Sequence, residues 1–349
     1  MRKNEPFIAR TQARVLRVLC ASVAMLFFCG SAAAQARWYR GNTHTHTINS
    51  DGDSSPDVVA RWYKEHGYHF VVISDHTYAD RGELTPVEGL NAVMGVPGRF
   101  LVLSGVEVTD RFEGMPVHLI GIGVREAVRA QGGASIPEIL NRDARAIREA
   151  GGVAHINHPN YLWALAAEHL TGATEAQHFE LWNGHPGVHN RGGGGKPSTE
   201  EMWDAALSTG RVLYGLATDD AHYFKVEPTP ALACPGRGWI VVRAQELTRE
   251  ALLDAIGRGE FYGSTGVELR SYEADASGIR IELPEGDRRN PTRYRTFFIG
   301  KDGAVLKQDD SLTPSYLFTG SELYVRARVE ASNGTYAWTQ PVFSKEAGK

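Results

Sequence analysis

Short apolar runs recur along the chain, each of strand rather than helix length. The first seven are Trp38–Gly41, Phe70–Ser74, Phe100–Val106, Val117–Ile122, Gly152–Ile156, His178–Trp182 and Arg211–Ala217. Between several of them the apolar positions take helical spacing, and start signals precede them. Ser55-Pro56-Asp57 opens Val58–Glu65 with proline at the first helical position. Thr85-Pro86-Val87-Glu88, Ser135-Ile136-Pro137-Glu138 and Ser198-Thr199-Glu200-Glu201 each have the spacing of a capping box. Gly67, Gly151 and Gly210 mark helix ends. Strand alternating with helix predicts an α/β fold with a parallel sheet. Seven strands favour a closed or nearly closed barrel over an open doubly wound sheet.

The pattern changes near residue 265. Leu323, Val325, Ala327 and Val329 alternate with Tyr324, Arg326, Arg328 and Glu330, as in a half-buried strand. Lys301-Asp302-Gly303 and Ser332-Asn333-Gly334 read as hairpin turns. Residues 266–349 are therefore expected to form a small antiparallel β-sandwich, with the helix Thr248–Arg258 still belonging to residues 37–265.

Composition narrows the class. The 349 residues are 42% hydrophobic and 22% charged, which excludes a disordered chain, a collagen and a coiled coil. A net charge of −4 gives no basic face for duplex nucleic acid. The N-terminus has the layout of an export signal. Arg2, Lys3, Arg10, Arg14 and Arg17 precede the apolar run Val18–Cys29 and the small residues Ser31–Ala36. Twelve apolar residues are too few to span a bilayer. Residues 1–36 are thus expected to be a signal peptide, cleaved after Ala34 or Ala36, and the protein to be periplasmic or secreted. The leader holds five of the 37 basic and one of the 41 acidic residues, so the mature chain would carry −8. It would retain Cys234 alone, with no intrachain disulfide. Cys234 has no motif around it and reads as inert.

Chemistry gathers where the predicted strands end, the place where parallel α/β architectures build their sites. The first run leads into His44-Thr45-His46 and Asp51, the second into Ser74-Asp75-His76, the third into Glu107. The fourth carries His118, the fifth ends His155-Ile156-Asn157-His158, and the seventh ends Asp219-Asp220-Ala221-His222. In extended chain, residues two apart share a side. His44 pairs with His46 and Asp220 with His222, while Asp219 faces away as a structural partner. His158, at its strand's end beside Pro159, is preferred to His155. Imidazole with carboxylate suits Zn, Mn or Fe(II). Nine ligands exceed what one ion takes, so two or three divalent ions with a shared carboxylate are expected.

These motifs, in this order from about Trp38 to Tyr223, resemble the PHP (polymerase and histidinol phosphatase) superfamily. The later segment Ala251–Gly266 and the ending Ala337-Trp338-Thr339-Gln340-Pro341 resemble the branch named after the carbaryl hydrolases CehA and McbA. The resemblance implies a distorted (β/α)7, TIM-like barrel with a trinuclear site. His44, His46, Glu107 and Asp220 would hold the first ion. Glu107, His118 and His158 would hold the second, with Glu107 bridging, and Asp51, His76 and His222 the third. Some members have His where Asp51 stands; either can ligate. Glu107, Asp220 and His222 are the residues expected to act in catalysis.

Adjacent divalent ions turn a bridging water into hydroxide near neutral pH and clamp substrate oxygens. Direct hydrolysis is therefore expected, with no Ser or Cys nucleophile. The resemblance favours phosphate mono- or diesters, including nucleotides and oligonucleotide ends. A carbamate or carboxylic ester is the alternative, and an inactive metal- or ligand-binding module is a third reading from another class. The partner is a small-molecule or nucleotide-type substrate, with no duplex nucleic acid and no membrane span after signal removal. Oligomeric state is not legible. His66, His69, His169 and His178 read as structural histidines. His185, His189 and Asn183 lie near the expected mouth, within reach of substrate. Arg191–Lys196 is a glycine-rich connection but not a P-loop, because Pro197 follows Lys196.

Overall fold

The computed structural model describes residues 36–286 and 291–344. The expected signal peptide lies outside the described residues except for Ala36. Residues from Arg37 onward form one compact unit. The fold is mixed α/β, with a large central sheet and few helices. Among the described residues no helix is long and apolar enough to cross a membrane.

All seven expected strands are present. They are β1 (Arg37–Asn42), β2 (Phe70–Ile73), β4 (Leu101–Phe112), β5 (Met115–Ile122), β6 (Val153–Ile156), β7 (His178–Asn183) and β8 (Tyr214–Thr218), with the short β3 (His76–Thr77) after β2. They lie side by side in the order β1-β2-β4-β5-β6-β7-β8. The expectation of an all-parallel sheet needs correction. β1, β2 and β4 are parallel, as are β6, β7 and β8. β5, however, runs antiparallel to both neighbours. The reason is local. Only Glu113 and Gly114 separate β4 from β5, both with positive φ, which makes a hairpin; a parallel return needs a long crossover. Just past β1 and β8 the two segments that follow them meet: Thr45 bridges Ala221 in parallel, and the His46 N–H donates to the Ala221 carbonyl at 2.9 Å.

The helices are α1 (Pro56–Glu65), α2 (Glu88–Met94), α3 (Ile136–Glu149), α4 (Ala167–Gly172), α5 (Thr199–Ser208) and α6 (Arg249–Gly257). Ser198 and Glu201 form the expected reciprocal cap on α5. Thr85 does not cap α2; its hydroxyl donates instead to the Asp75 carboxylate at 2.7 Å. The pull of a buried carboxylate outweighs a cap worth about 1 kcal/mol.

Residues 266–344 supply antiparallel strands, with the turns expected at 301–303 and 332–334. They are β11 (Ser271–Asp275), β12 (Gly278–Glu282), β13 (Tyr294–Ile299), β14 (Val305–Asp309), β15 (Ser315–Leu317), β16 (Tyr324–Ala331), β17 (Tyr336–Thr339) and β18 (Val342–Phe343). β11, β12 and β15 make a small separate sheet. The run β14-β13-β16-β17 continues the large sheet through β10 (Phe261–Ser264) and β9 (Trp239–Ala244), which pairs antiparallel with β1. Ile279, Ile281, Phe298, Val325, Ala327 and Val329 share one apolar cluster with Val71, Ile73 and Tyr262. β16 is buried on both faces rather than half-buried, since Tyr324 and Arg326 are enclosed too. Their partner is Asp204 on α5.

Candidate metal centre

Sheet register delivers the nine expected residues to one place. The Thr45–Ala221 bridge sets the residues on either side, His44 and His46 against Asp220 and His222, next to each other on one face. His76 on β3 lies opposite Glu107 on β4. The antiparallel β5 places His118 near its start, opposite Thr109 and therefore beside Glu107. His158 follows β6. Asp220 and His158 adopt positive φ, 50° and 21°, a conformation that ordinary residues rarely take and that clusters at functional sites.

Three groups of donor atoms result. His44, His46 and Asp220 form one; Glu107, His118 and His158 a second; His46, Asp51, His76 and His222 a third. In the first, His44 Nε2 and His46 Nε2 are 3.1 Å apart, and each is 3.2 Å from Asp220 Oδ1. Bonds of ~2.1 Å to one ion put neighbouring ligand atoms ~3.0 Å apart in an octahedron and ~3.4 Å in a tetrahedron. The observed triangle falls between. Glu107 Oε2 stands 3.3 Å from His44 Nε2 and 3.2 Å from His46 Nε2. Its other oxygen, Oε1, is 3.0 Å from His118 Nδ1 and 3.3 Å from His158 Nε2. Glu107 thus straddles the first and second groups. Asp51 lies 3.4 Å from ring nitrogens of His46, His76 and His222 and is the exposed member, at the solvent end.

Tautomers show that these contacts want a cation. His44 donates Nδ1–H to Glu180 Oε1 at 2.6 Å, so its neutral ring presents a bare lone pair at Nε2 to two carboxylates and a second imidazole. His222 donates Nδ1–H to the Asp220 carbonyl at 2.9 Å and likewise aims a lone pair at Asp51. Acceptors facing acceptors in a buried site are stable only around a positive charge. Lys and Arg supply none: every salt bridge of Glu107, Asp220, Asp51 and Glu180 among the described residues is to histidine. The donor set fits divalent transition metals.

Without a cation, protons take its place. Burial opposes charge on His44, yet Asp220, Glu180 and Glu107 raise its pKa well above the ordinary value. His46, equally buried, is raised to about 10 by hydrogen bonds to Asp220 and Glu107. Burial works against ionisation of Glu107 and Asp220, but the surrounding imidazoles hold both well below the usual carboxylate range.

Supporting residues fix the donors. The Asp75 carboxylate accepts from Thr47 N–H and Oγ1 and from the hydroxyls of Ser50 and Thr85, all at 2.7–2.8 Å, and so holds the turn between His46 and Asp51. Asn157 Nδ2 donates to Glu107 Oε1 at 2.7 Å. Asn183 Nδ2 donates to Glu180 Oε2 and Asp220 Oδ2 at 2.8 and 3.1 Å. Glu180 is the residue that sequence reasoning missed. Its signal was an acid in the middle of an apolar strand, fully buried here, where it orients His44 in the manner of a carboxylate behind a metal-binding imidazole.

Asp219 faces away from the cluster, accepting from Tyr63 Oη–H at 2.8 Å and from two backbone N–H groups. His155 is buried without a hydrogen-bond partner, and burial lowers its pKa to about 3. His66 stacks on Trp62, and His178 bonds the Ile256 carbonyl, both away from the centre. His69 accepts from the Arg40 N–H, and His169 from the Ala166 N–H. His189 stacks on Trp163 at 4.7 Å, whereas the His185 ring lies 5.8 Å from that of His222. Cys234 is buried and free.

No protein-family model and no curated protein matches the sequence. Among solved structures, a two-domain protein containing a predicted PHP-like metal-dependent phosphoesterase from Bacteroides vulgatus aligns over 88% of this chain and 96% of its own, at 14% identity and a TM-score of 0.49. The lesion-specific endonuclease EndoQ from Pyrococcus furiosus aligns over 64% of this chain and 57% of its own, at 16% identity and TM-score 0.38. An amidohydrolase from Chromobacterium violaceum with bound sulfate and no metal aligns over 55% and 93%, at 16% and 0.34.

Proposed function

We propose that this chain is a metal-dependent hydrolase of phosphoesters, acting on a small or nucleotide-type substrate at a centre of two or three divalent ions. The observation that carries the reading is Glu107: its two oxygens face two separate groups of imidazole lone pairs, with no Lys or Arg to balance them. Bound divalent ions would lower the pKa of water and polarise the substrate's oxygens. A phosphoryl group, with several anionic oxygens, suits clustered cations better than a single carbonyl does.

The chain's own residues set the geometry. Glu180 and Asn183 hold His44 and Asp220 in one orientation, and Asp75 holds the turn that carries Asp51 to the open side. Substrate enters on the side of Asp51, His76, His118 and His222, the members of the cluster that keep some solvent exposure. The N-terminal leader adds the proposal that this hydrolysis takes place outside the cytoplasm.

The test is a substrate panel on metal-reconstituted protein: p-nitrophenyl phosphate, bis-p-nitrophenyl phosphate, nucleotides, short oligonucleotides and aryl carbamates. Turnover of at least one phosphoester class and none of carbamates is expected. Carbamate turnover alone would reverse the assignment, and no turnover at all would leave a binding module.

A further inference from the structure

The loop after β7 is built around a side chain that none of the three donor groups uses. The His185 backbone N–H donates to Asn183 Oδ1 at 2.8 Å, and Asn183 is itself bonded to Glu180 and Asp220. The His185 ring Nδ1 accepts the Gly187 N–H at 3.0 Å. The approach is close: a Cβ at position 187 would lie 3.1 Å from His185 Cε1, His185 Nδ1 and Tyr161 Cε2, so a larger residue there would push on both rings. The ring stands edge-on to Tyr161 at 5.7 Å and to His222 at 5.8 Å. A ring nitrogen that accepts from the backbone carries no proton, so the neutral imidazole has its single N–H at Nε2. This N–H has no hydrogen-bond partner among the described residues.

The ring lines a cleft of about 600 Å3 whose wall holds none of the nine donor residues. Its wall includes Trp182, His189, Arg191, Arg237 and Thr335, and no Asp or Glu, although the whole chain is net acidic. Trp182 is backed by Trp338, stacked at 6.0 Å, and the Arg191 guanidinium lies 5.9 Å from the Trp182 ring. An indole wall with an adjacent guanidinium favours a planar, electron-rich group.

We propose that this cleft is a leaving-group subsite for an aryl or nucleoside ester, and that His185 donates its Nε2–H to the departing ester oxygen. The inference rests on the phosphoester reading. Water's oxygen bonds to phosphorus as the ester P–O bond breaks, and the bonding pair goes to the leaving oxygen. The attacking water gives up one proton to solvent. His185 keeps its own proton and spreads the charge on the leaving oxygen through the hydrogen bond; that oxygen then takes one proton from solvent.

The experiment compares wild-type, His185→Phe and His185→Gln full-length protein on 4-nitrophenyl, 4-chlorophenyl and phenyl phosphate esters, with metal content measured on each. One oxyanion donor is worth about 100-fold or more in rate. His185→Phe should lose about tenfold on the 4-nitrophenyl ester and about 100-fold on the phenyl ester, whose oxygen most needs the donor. Its metal content should be unchanged, and His185→Gln, which keeps an N–H, should recover part of the loss. Equal losses across the series, or loss of metal, would overturn the proposal. A second readout needs no variant and no turnover: nitrogen-15 spectra of zinc-loaded wild-type protein should show His185 as the Nε2–H tautomer, and an Nδ1–H tautomer would overturn it. If wild-type protein hydrolyses none of these aryl esters, the leaving-group role fails whatever the tautomer; the phosphoester reading fails with it only if the nucleotides and oligonucleotides of the wider panel are not turned over either.

Discussion

Two regions of this molecule bury several charges, and they do so in opposite ways. Between β16 and α5, Arg326 is fully enclosed. Its Nε and Nη2 donate to the two oxygens of Asp204 at 2.8 and 2.6 Å, and Nη1 lies 2.9 Å from Glu200. Tyr324 Oη–H gives Asp204 a further bond at 2.9 Å, and Trp203 lies against the guanidinium. Burial opposes the charge, but Glu200 and Asp204 raise the Arg326 pKa. The chain supplies its own cation there, and the cluster is complete. At the metal centre, the only ion-pair partners of Glu107, Asp220, Asp51 and Glu180 among the described residues are imidazoles. Two of these, His44 and His222, have spent their Nδ1–H on Glu180 and the Asp220 carbonyl and turn a bare Nε2 to the other carboxylates. Carboxylates gathered with a resident cation make a clamp; gathered without one, around lone pairs, they make a binding site for a cation from outside.

Glu107→Gln tests the open cluster most severely. The change keeps the shape and removes the charge shared by two donor groups. Hydrolysis should fall by at least about a thousandfold, with metal lost, the transition-state stabilisation at stake being several kcal/mol. Asp219→Asn is the matched control, one residue from Asp220 but bonded to Tyr63, Arg237 and Gly238. It should keep its metal and most of its activity; loss of metal there, with Glu107→Gln tolerated, would mean the site is assigned to the wrong face.

Arg326→Met tests the closed cluster. Removing one partner of a buried ion pair leaves Asp204 uncompensated and costs about 3–5 kcal/mol. Denaturant unfolding should show that loss, while the folded protein keeps its metal content and kcat. A fall in metal content at unchanged stability would show that the two clusters are not independent.

The smallest effect distinguishes protons from metal in the open cluster. His46 has its pKa raised to about 10 in the metal-free fold, and His44 is raised as well. A raised histidine pKa stabilises the metal-free fold fully below the unfolded value and ceases to do so as pH climbs through the folded one. Metal must displace those protons. His158, a third donor, is also raised, against the effect of burial, by Glu107, so calorimetric titration at pH 7 in buffers of different ionisation enthalpy should show release of about two to three protons per chain. The number should drop as pH rises through about 10. Release of none at pH 7 would mean the imidazoles are already neutral.

Much of this was legible in the sequence because strand parity is a rigid rule. His44 and His46, or Asp220 and His222, share a side whatever the tertiary fold, and Asp219 is turned away by the same rule. The strand runs were legible too, since four to six apolar residues between helix caps leave few alternatives. Strand direction was not. β5 has the same apolar character in either direction, and only the length of its connection to β4 decides. Glu180 was passed over because a lone acid inside an apolar run acquires meaning only when its partner, 136 residues away, is known. Arg326 looked like the wet face of a strand for the same reason: its partner on α5 is 122 residues distant. The route by which β17 joins β10, and so the large sheet, depends on pairing between distant segments that carry no local mark.

The central claim is that the lone pairs around Glu107 exist to hold metal used in hydrolysis. Metal analysis of purified protein, paired with bis-p-nitrophenyl phosphate turnover before and after chelation, tests it most directly. Two or three divalent ions per chain are predicted, with turnover abolished by the chelator and restored by adding a divalent ion back. Fully active protein with less than one ion per chain would contradict the account.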